Sequence, residues 1–137
     1  MEFVYKDYTE VKIDELVELY KDVQWSAYYE DPSVLENAVK NSLYVRGVYL
    51  EDELVALIRV VGDGHYMIYV QDILVKEKYQ RQGIGSKLLK YVLDKYKNVR
   101  QTMLITENEE KTVAFYNSLG FTDIKVLYDG VAFGIYR

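Results

Sequence analysis

The spacing of apolar residues predicts both strands and helices in the first third of the chain. Alternating apolar and polar residues near 2–8 predict a strand. Apolar residues then recur every three or four positions, which predicts helices near 12–22 and 32–41. Asp31 and Pro32 suit the N-cap and the first position of the second helix.

The middle of the chain contains three apolar stretches separated by short polar turns. They predict strands at Leu43–Leu50, Leu54–Val61 and Tyr66–Val75. The turn at Glu51-Asp52 is short, and Gly62-Asp63-Gly64 is a typical hairpin turn. Consecutive strands with short turns form an antiparallel meander.

A helical pattern returns after Gln80 and continues to Tyr96, followed by a short strand at Thr102–Thr106. The stretch Thr106–Glu109 fits a capping box, which predicts a last helix that ends before Gly120.

The last residues are predicted to form a β-hairpin. Its strands are Phe121–Leu127 and Val131–Tyr136, and its turn is Asp129-Gly130. The predicted fold class is therefore α+β, with a mixed, mostly antiparallel central sheet flanked by helices.

Length and composition favour one domain without disulfides or a membrane span. The 137 residues fit a single domain, predicted to cover 1–137, and half of them are hydrophobic. The absence of cysteine excludes a thiolate metal site and a cysteine nucleophile, and we predict no bound metal. No stretch reaches the ~20 apolar residues of a membrane helix, so we expect a cytoplasmic protein without a membrane partner.

Charge is unevenly distributed along the chain. Residues 76–100 contain eight bases and two acids, a net +6, whereas the remainder contains nine bases and twenty acids, a net −11. A basic segment in an acidic protein is compatible with an anionic ligand and equally with a solvated helix face. The acidic total argues against a nucleic-acid partner.

The most informative segment, residues 80–89, lies between a predicted strand and a predicted helix. Gly83 and Gly85 allow a tight turn with exposed backbone N–H groups, and the helix start adds partial positive charge. Such a loop suits a phosphate or pyrophosphate.

Three phosphate-binding patterns compete for this loop. A Walker A loop requires Gly-Lys-Ser/Thr, but Ser86-Lys87 has the reverse order. A dinucleotide-binding loop requires a third glycine where Leu88 stands. The pattern Q/R-x-x-G-x-G/A is matched by Gln80, Gly83 and Gly85.

In this segment the chain resembles the GCN5-related N-acetyltransferase (GNAT) family. The strand Asp72–Val75, its five-residue spacer and the loop follow the family's central pattern, and Ala114–Tyr116 with Gly120-Phe121 resembles its C-terminal helix and turn. The resemblance covers the order of elements throughout and is strongest over 70–121.

The resemblance implies that acetyl-CoA, as cosubstrate, binds where the sheet is splayed between strands four and five. Backbone groups of Ile73 and Val75 are expected to pair with its acetyl and pantetheine parts. The loop residues expected to hold the pyrophosphate are Gln80, Arg81, Gln82, Gly83, Ile84, Gly85 and Ser86. Lys76, Lys78, Arg81 and Lys87 are candidates for further phosphate contacts. Asn108 lies eight residues before Tyr116, where many members have seven, and it is a candidate for either a helix start or a cofactor contact.

The resemblance also implies direct acetyl transfer to an amine, with Tyr116 as proton donor to the leaving thiolate. Asp72, the only carboxylate of the predicted fourth strand, is the candidate base or substrate contact. The sole histidine, His65, lies about 26 Å from Ile73 along a strand at ~3.3 Å per residue, which argues against it as the base.

Trp25, Tyr28 and Tyr29 form a candidate acceptor site near Glu30 and Asp31, and aromatic rings near carboxylates suit an amine. The expected acceptor is the primary amine of a small molecule, with a protein or peptide amine as the alternative. The alternative to an enzyme is an acetyl-CoA sensor. Family members are often dimers, so a homodimer is possible.

Overall fold

The computed structural model describes residues 2–137. These residues form two units, 2–104 and 105–137. The first unit contains β1 (Phe3–Asp7), α1 (Ile13–Asp22), α2 (Ser26–Tyr29), α3 (Pro32–Lys40), β2 (Tyr44–Leu50), β3 (Glu53–Gly62), β4 (Met67–Val75), a 3-10 helix (Glu77–Tyr79), α4 (Ile84–Lys95) and β5 (Gln101–Met103).

The five strands form one sheet in the order β1-β2-β3-β4-β5. The first four strands pair antiparallel, and β5 pairs parallel to β4. The predicted α+β class, with a mixed and mostly antiparallel sheet flanked by helices, is confirmed.

The β4 and β5 strands pair only at one end. Met67–Tyr69 pairs with Gln101–Met103, whereas the remaining residues of β4, 70–75, have no strand neighbour on that side. This is the splay that the resemblance to the GNAT family implies between strands four and five.

Helices cover both faces of the sheet because successive side chains of a strand point to opposite faces. Asp72 of β4 faces α1, where Tyr20 donates a hydrogen bond to it at 2.9 Å. The next residue, Ile73, faces α4, where its Cδ1 lies 3.9 Å from the position of a Cβ at Gly85. Leu16 and Leu19 of α1 and Leu35 of α3 are buried in the core on the first face, and α4 buries Ile84, Leu88, Leu89 and Val92 on the second.

The first unit follows the predicted order, with two added elements, α2 and the 3-10 helix Glu77–Tyr79. The short helix α2 lies in the inter-helix segment, for which no element was predicted. The strand predicted at Thr102–Thr106 is shorter and lies at Gln101–Met103. No helix of residues 2–137 is long and apolar enough to cross a bilayer.

The second unit contains α5 (Glu110–Ser118) and α6 (Ile124–Tyr128). The predicted capping box is wrong, because α5 begins after Glu109, whose side chain makes no cap hydrogen bond. Gly120 ends this helix as predicted, with a φ of 95°.

The predicted C-terminal hairpin is also wrong. The carboxylate of Asp123 accepts the N–H of Lys125 at 3.0 Å and begins α6 where strand Phe121–Leu127 was expected. Asp129, with a φ of 59°, ends that helix in the left-handed conformation. Val131–Tyr136 has no regular structure, since a strand requires a neighbour that pairs with its backbone.

Candidate functional site

The open edge of β4 presents backbone groups of residues 73 and 75. Lys76 donates its N–H to the carbonyl of Val55 in β3 at 2.8 Å. Because backbone groups alternate along a strand, those of Ile73 and Val75 point away from β3, toward the splay. The carbonyl of Val75 accepts from the side-chain amide of Gln80 at 2.9 Å. Gln80 therefore ties the start of the glycine loop to the end of β4.

The glycine loop exposes a continuous run of backbone donors. From Arg81 to Ser86 none of the six N–H groups has a hydrogen-bond acceptor among residues 2–137, and the first helical bond of α4 is donated by Lys87. The helix has no side-chain cap at its N-terminus. Unpaired donors at a helix start form a site for an anion.

Two left-handed residues give the loop its shape. Arg81 has a φ of 63° and Gly83, the N-cap residue of α4, has a φ of 83°. A Cβ at Gly83 would meet nothing within 4 Å, so glycine is required there by backbone conformation and not by lack of space.

A cavity of about 470 Å³ lies beside the loop and is lined by Asp22, Glu77, Lys78, Gln80 and Arg81. The carboxylate of Asp22 accepts the N–H of Glu77 at 2.8 Å, which joins α1 to the 3-10 helix. Lys78 and Arg81 are thus near the loop, as their proposed role in phosphate binding requires.

The other two candidate phosphate contacts are engaged elsewhere. Lys76 is 5% exposed, and its ammonium lies 3.1 Å from Glu18 and 2.9 Å from Glu53. The ammonium of Lys76 is therefore already paired with two carboxylates. The ammonium of Lys87 lies 4.3 Å from the centre of the Tyr5 ring, a cation–π contact.

Asp72 is held in a buried network. It is 2% exposed, and its Oδ2 accepts from Arg59 Nε at 2.7 Å and from the Tyr20 hydroxyl at 2.9 Å. Its Oδ1 has no hydrogen-bond partner among the described residues. Burial, followed by the nearby charge of Asp72, raises the pKa of Tyr20 and keeps its hydroxyl protonated.

The hydroxyl of Tyr28 binds a side chain of β4 next to this network. Arg59 pairs with Asp72 but Val60 pairs with Val70, so Gln71 is the extra residue of a β-bulge. The side-chain amide of Gln71 donates to the Tyr28 hydroxyl at 3.2 Å. Burial and then the charge of Asp72 raise the pKa of Tyr28.

The three aromatic residues that the sequence proposes for the acceptor have different surroundings. Trp25 and Tyr28 pack against Tyr20, with ring centres 6.0 and 5.2 Å from it. Tyr29 lies under the ammonium of Lys21, 5.9 Å from its ring centre. All three candidate residues are partly buried and pack against the hydrophobic core.

In the second unit, Tyr116 lies in the last turn of α5, where the end of the helix holds its backbone and ring. The N–H of Gly120 donates to Asn117 and the N–H of Phe121 donates to Tyr116, both at 3.1 Å, which is a Schellman motif. The rings of Tyr116 and Phe121 pack edge-on with centres 5.9 Å apart. Burial raises the pKa of Tyr116, whose hydroxyl has no hydrogen-bond partner within residues 2–137. The spacing from Tyr116 to Gly120-Phe121 is therefore the signature of a helix end.

Asn108 lies before α5 in a segment without regular structure, and no hydrogen bond to its side chain is present within residues 2–137. It does not cap the helix, since Glu109 occupies that position. Its candidate role in cofactor binding stays a prediction.

Sequence analysis missed three members of the Asp72 network, namely Tyr20, Arg59 and Gln71. Arg59 carried a signal, because it is the only charge in the apolar run from Leu54 to Val61. A charge in such a strand requires a buried partner. Nothing in the sequence marks Tyr20 or Gln71, whose partners depend on packing and on the bulge.

Comparison with known proteins agrees with this geometry. The family model described as "Acetyltransferase (GNAT) family" matches residues 4–121. An uncharacterized N-acetyltransferase, ycf52-like, from Prochlorococcus marinus is 27% identical over 124 residues, covering 88% of this chain and 68% of that protein.

Two solved structures are also similar. The GNAT-family acetyltransferase SP0256 from Streptococcus pneumoniae TIGR4 has a TM-score of 0.87 and 38% identity, covering 99% of this chain and 98% of its own. The structure of AAC(6')-Iy with the bisubstrate analogue CoA-S-monomethyl-acetylneamine has a TM-score of 0.75 at 13% identity. The match covers 100% of this chain and 99% of that chain. Because the family model spans well over half of the sequence, this chain belongs to the GNAT family of acetyltransferases.

Proposed function

We propose that this chain transfers the acetyl group of acetyl-CoA to the primary amine of a small molecule. The observation that carries the proposal is the run of six unpaired N–H groups from Arg81 to Ser86, beside the open edge of β4. Unpaired donors at a helix start suit a pyrophosphate, and an open strand edge suits an extended amide chain. Acetyl-CoA carries both groups.

The donor is held mainly by backbone atoms in this proposal. The N–H groups of residues 81–86 bind the pyrophosphate, and Lys78 and Arg81 add positive charge. Ile73 and the N–H of Val75 pair with the pantetheine arm, whereas the Val75 carbonyl is already held by Gln80. Gln80 acts as a positioning residue for the loop, and Asn108 remains a candidate contact.

Bound acetyl-CoA supplies an activated acyl group whose leaving group is a thiolate. By resemblance to the family, we propose Tyr116 as the proton donor to that thiolate. Burial raises its pKa, so the hydroxyl is protonated at neutral pH and able to donate.

The acceptor amine must lose a proton before it attacks. For an amine of pKa ~10 this costs about 4 kcal/mol at pH 7, at roughly 1.36 kcal/mol per unit. Asp72 stays a candidate base, but its contacts with Arg59 and Tyr20 favour a positioning role. Tyr28, Trp25 and Tyr29 are the proposed acceptor contacts.

The small-molecule acceptor is supported by the aromatic residues beside α1 and by the similarity to AAC(6')-Iy, whose bisubstrate analogue joins CoA to an acetylneamine. Rings beside carboxylates suit an amine with a cationic or apolar body.

Calorimetry tests the donor site directly. We expect acetyl-CoA to bind and acetyl-pantetheine, which lacks the pyrophosphate and nucleotide, to bind at least roughly tenfold more weakly. Equal affinity for the two would contradict pyrophosphate binding by the loop, and no binding of either would contradict the proposed donor.

Thiol release from acetyl-CoA tests the acceptor class. The panel comprises aminoglycosides, polyamines, aryl-alkyl amines, amino acids and peptides. Release with one class of small amine supports the proposal, and release with peptides alone identifies a protein-modifying enzyme. Tight acetyl-CoA binding without release for any amine indicates a sensor.

A further inference from the structure

The side chain of Gln71 lies against one of the proposed acceptor contacts, Tyr28 of α2. Gln71 is the extra residue of the bulge in β4, next to Asp72. Its amide nitrogen donates to the Tyr28 hydroxyl at 3.2 Å, which sets the direction of the amide group. The amide oxygen has no hydrogen-bond donor among residues 2–137, so it can accept an N–H from a bound molecule.

Gln71 is also close to the proposed site of the acetyl group. It lies two positions before Ile73, whose backbone faces the open edge of β4, or about 7 Å along the strand at ~3.3 Å per residue. The side chain of Gln71 is exposed, whereas Asp72 is only 2% exposed. Of these two neighbours, Gln71 is therefore the one that an acceptor molecule can reach.

The titratable groups next to Gln71 are poorly placed to take a proton from an amine bound there. The carboxylate of Asp72 is buried, and its Oδ2 is bound by Arg59 at 2.7 Å and by Tyr20 at 2.9 Å. Its Oδ1 has no partner among the described residues, but it is closed off from solvent. Burial raises the pKa of Tyr20 and of Tyr28, and the charge of Asp72 raises both further, so both hydroxyls stay protonated.

Acetyl transfer from a thioester balances its protons when the amine arrives uncharged. The amine nitrogen forms a bond to the acyl carbon, the carbon–sulfur bond breaks, and the electron pair leaves with the sulfur. Of the two protons of a neutral primary amine, one stays on the amide nitrogen and the other balances the proton that the thiol gains. An ammonium ion brings one proton more, which a base must remove before the attack.

Amines differ greatly in the uncharged share that they offer. At pH 7 about one in ten α-amino groups, with a pKa of ~7.7–8.0, is uncharged. For a lysine-type amine with a pKa of ~10.4, the uncharged share is about one in 2,500. The second kind of amine therefore depends on an enzyme base far more than the first.

We propose that Gln71 binds the acceptor amine and that, because its surroundings supply no base, the enzyme acts on small primary amines of low basicity, the class of the α-amino group. The amide oxygen of Gln71 accepts an N–H of the uncharged amine and holds its nitrogen near the acyl carbon. This inference rests on the proposed acetyl transfer and narrows its acceptor.

The pH dependence of turnover gives the first test. The probes are phenylalaninamide, which has an α-amino group, and phenethylamine, an alkylamine with the same ring. At pH 7 we expect kcat/KM to be at least roughly tenfold higher for phenylalaninamide, and each profile to rise until the pH reaches the pKa of that amine. Profiles that level off at one shared pH would reveal an enzyme base and overturn the proposal. No thiol release with any amine would instead contradict the proposed acetyl transfer.

Variants of Gln71 test its contact with the acceptor. Gln71→Met removes the amide and should raise KM for phenylalaninamide roughly fivefold, with native affinity for acetyl-CoA. Gln71→Glu supplies a carboxylate and should raise turnover of phenethylamine at pH 7 at least roughly tenfold.

The matched control is Gln101→Glu, which places the same charge on an exposed residue of β5 and should leave both amines unaffected. A native KM in Gln71→Met, together with a native pH profile in Gln71→Glu, would show that Gln71 does not contact the acceptor and would overturn the proposal.

Discussion

Arg59 and Asp72 form a buried ion pair that joins β3 to β4, with Nε and Oδ2 2.7 Å apart. The pair lies directly beside the bulge at Gln71, where the register of the two strands shifts. The Tyr20 hydroxyl shares the same carboxylate oxygen. One carboxylate thus connects the sheet to α1, immediately before the strand residues proposed to bind the donor.

Replacement of Asp72 by Asn is expected to destabilise the protein by about 3–5 kcal/mol, because Arg59 is left buried without a counter-charge. Urea denaturation measures the loss. The double variant Arg59→Met/Asp72→Leu should recover much of it, since an apolar pair replaces both charges. A native-like stability of Asp72→Asn with a large loss of turnover would instead identify Asp72 as the base.

Tyr116→Phe should lower the rate of thiol release at least roughly tenfold. Because burial raises the Tyr116 pKa above its ordinary value of 10.0, the donor stays protonated through neutral pH and is lost only as pH rises past that raised pKa. Native and variant profiles of kcat/KM should therefore have the same shape between pH ~7 and ~9. A falling limb in this range that disappears in Tyr116→Phe would contradict the raised pKa, and an unchanged rate in the variant would contradict the role of Tyr116 as proton donor.

Gly83→Ala should weaken acetyl-CoA binding measured by calorimetry. The added methyl group meets nothing within 4 Å, so the variant acts through its left-handed φ of 83°, at a cost of about 1–2 kcal/mol.

The control for this prediction is Gly64→Ala, in the turn between β3 and β4. Gly64 has a similar φ of 76° and room at 3.4 Å from Leu43. The Gly64→Ala variant should lose about as much stability as Gly83→Ala, while its affinity for acetyl-CoA should equal that of the native protein. Equal weakening in both variants would mean that the effect is a general loss of folding.

Glu53→Gln should reduce the loss of stability in acid. The hydrogen bond from Lys76 lowers the pKa of Glu53 below its ordinary 4.5, which outweighs the opposing effect of burial. A carboxyl whose pKa is lower in the folded state than in the unfolded state stabilises the fold at pH values above its unfolded pKa. This contribution disappears as the pH falls through the folded pKa. Urea midpoints measured downward from pH ~5 should fall less in the variant.

The control here is Glu107→Gln, which removes an exposed carboxylate that has no ion pair among the described residues. Its acid dependence should match that of the native protein. If the urea midpoints of the native protein and Glu53→Gln fall equally in acid, the contact with Lys76 contributes nothing measurable to stability.

The first unit was predictable where local signals and tertiary packing agree. The helix beginning at Pro32 has a capping aspartate, which accepts the N–H of Val34 at 3.4 Å. The strands of the meander have short turns and apolar faces that one sheet can bury. The spacing of apolar residues shows which face of a helix or strand is buried, and it therefore predicted the positions of these elements well.

The second unit was predicted less well because its local signals compete. The pattern of residues 121–136 fits a hairpin, but Asp123 caps a helix and Asp129 ends it. Strand propensity is realised only when a neighbouring strand pairs with the backbone. Within the described chain Val131–Tyr136 has no such neighbour.

Local sequence signals correctly predicted the helices α1, α3, α4 and α5, the five strands of the first unit, the glycine loop at the start of α4 and the helix end that follows Tyr116. These features depend on residues close together in the chain: left-handed glycines, capping groups and apolar spacing. Sequence reasoning did not find that Asp72 is bound by Arg59 and Tyr20, or that Lys76 is held by two glutamates. Those relationships join residues distant in sequence, and burial and strand register, which bring them together, are properties of the whole fold.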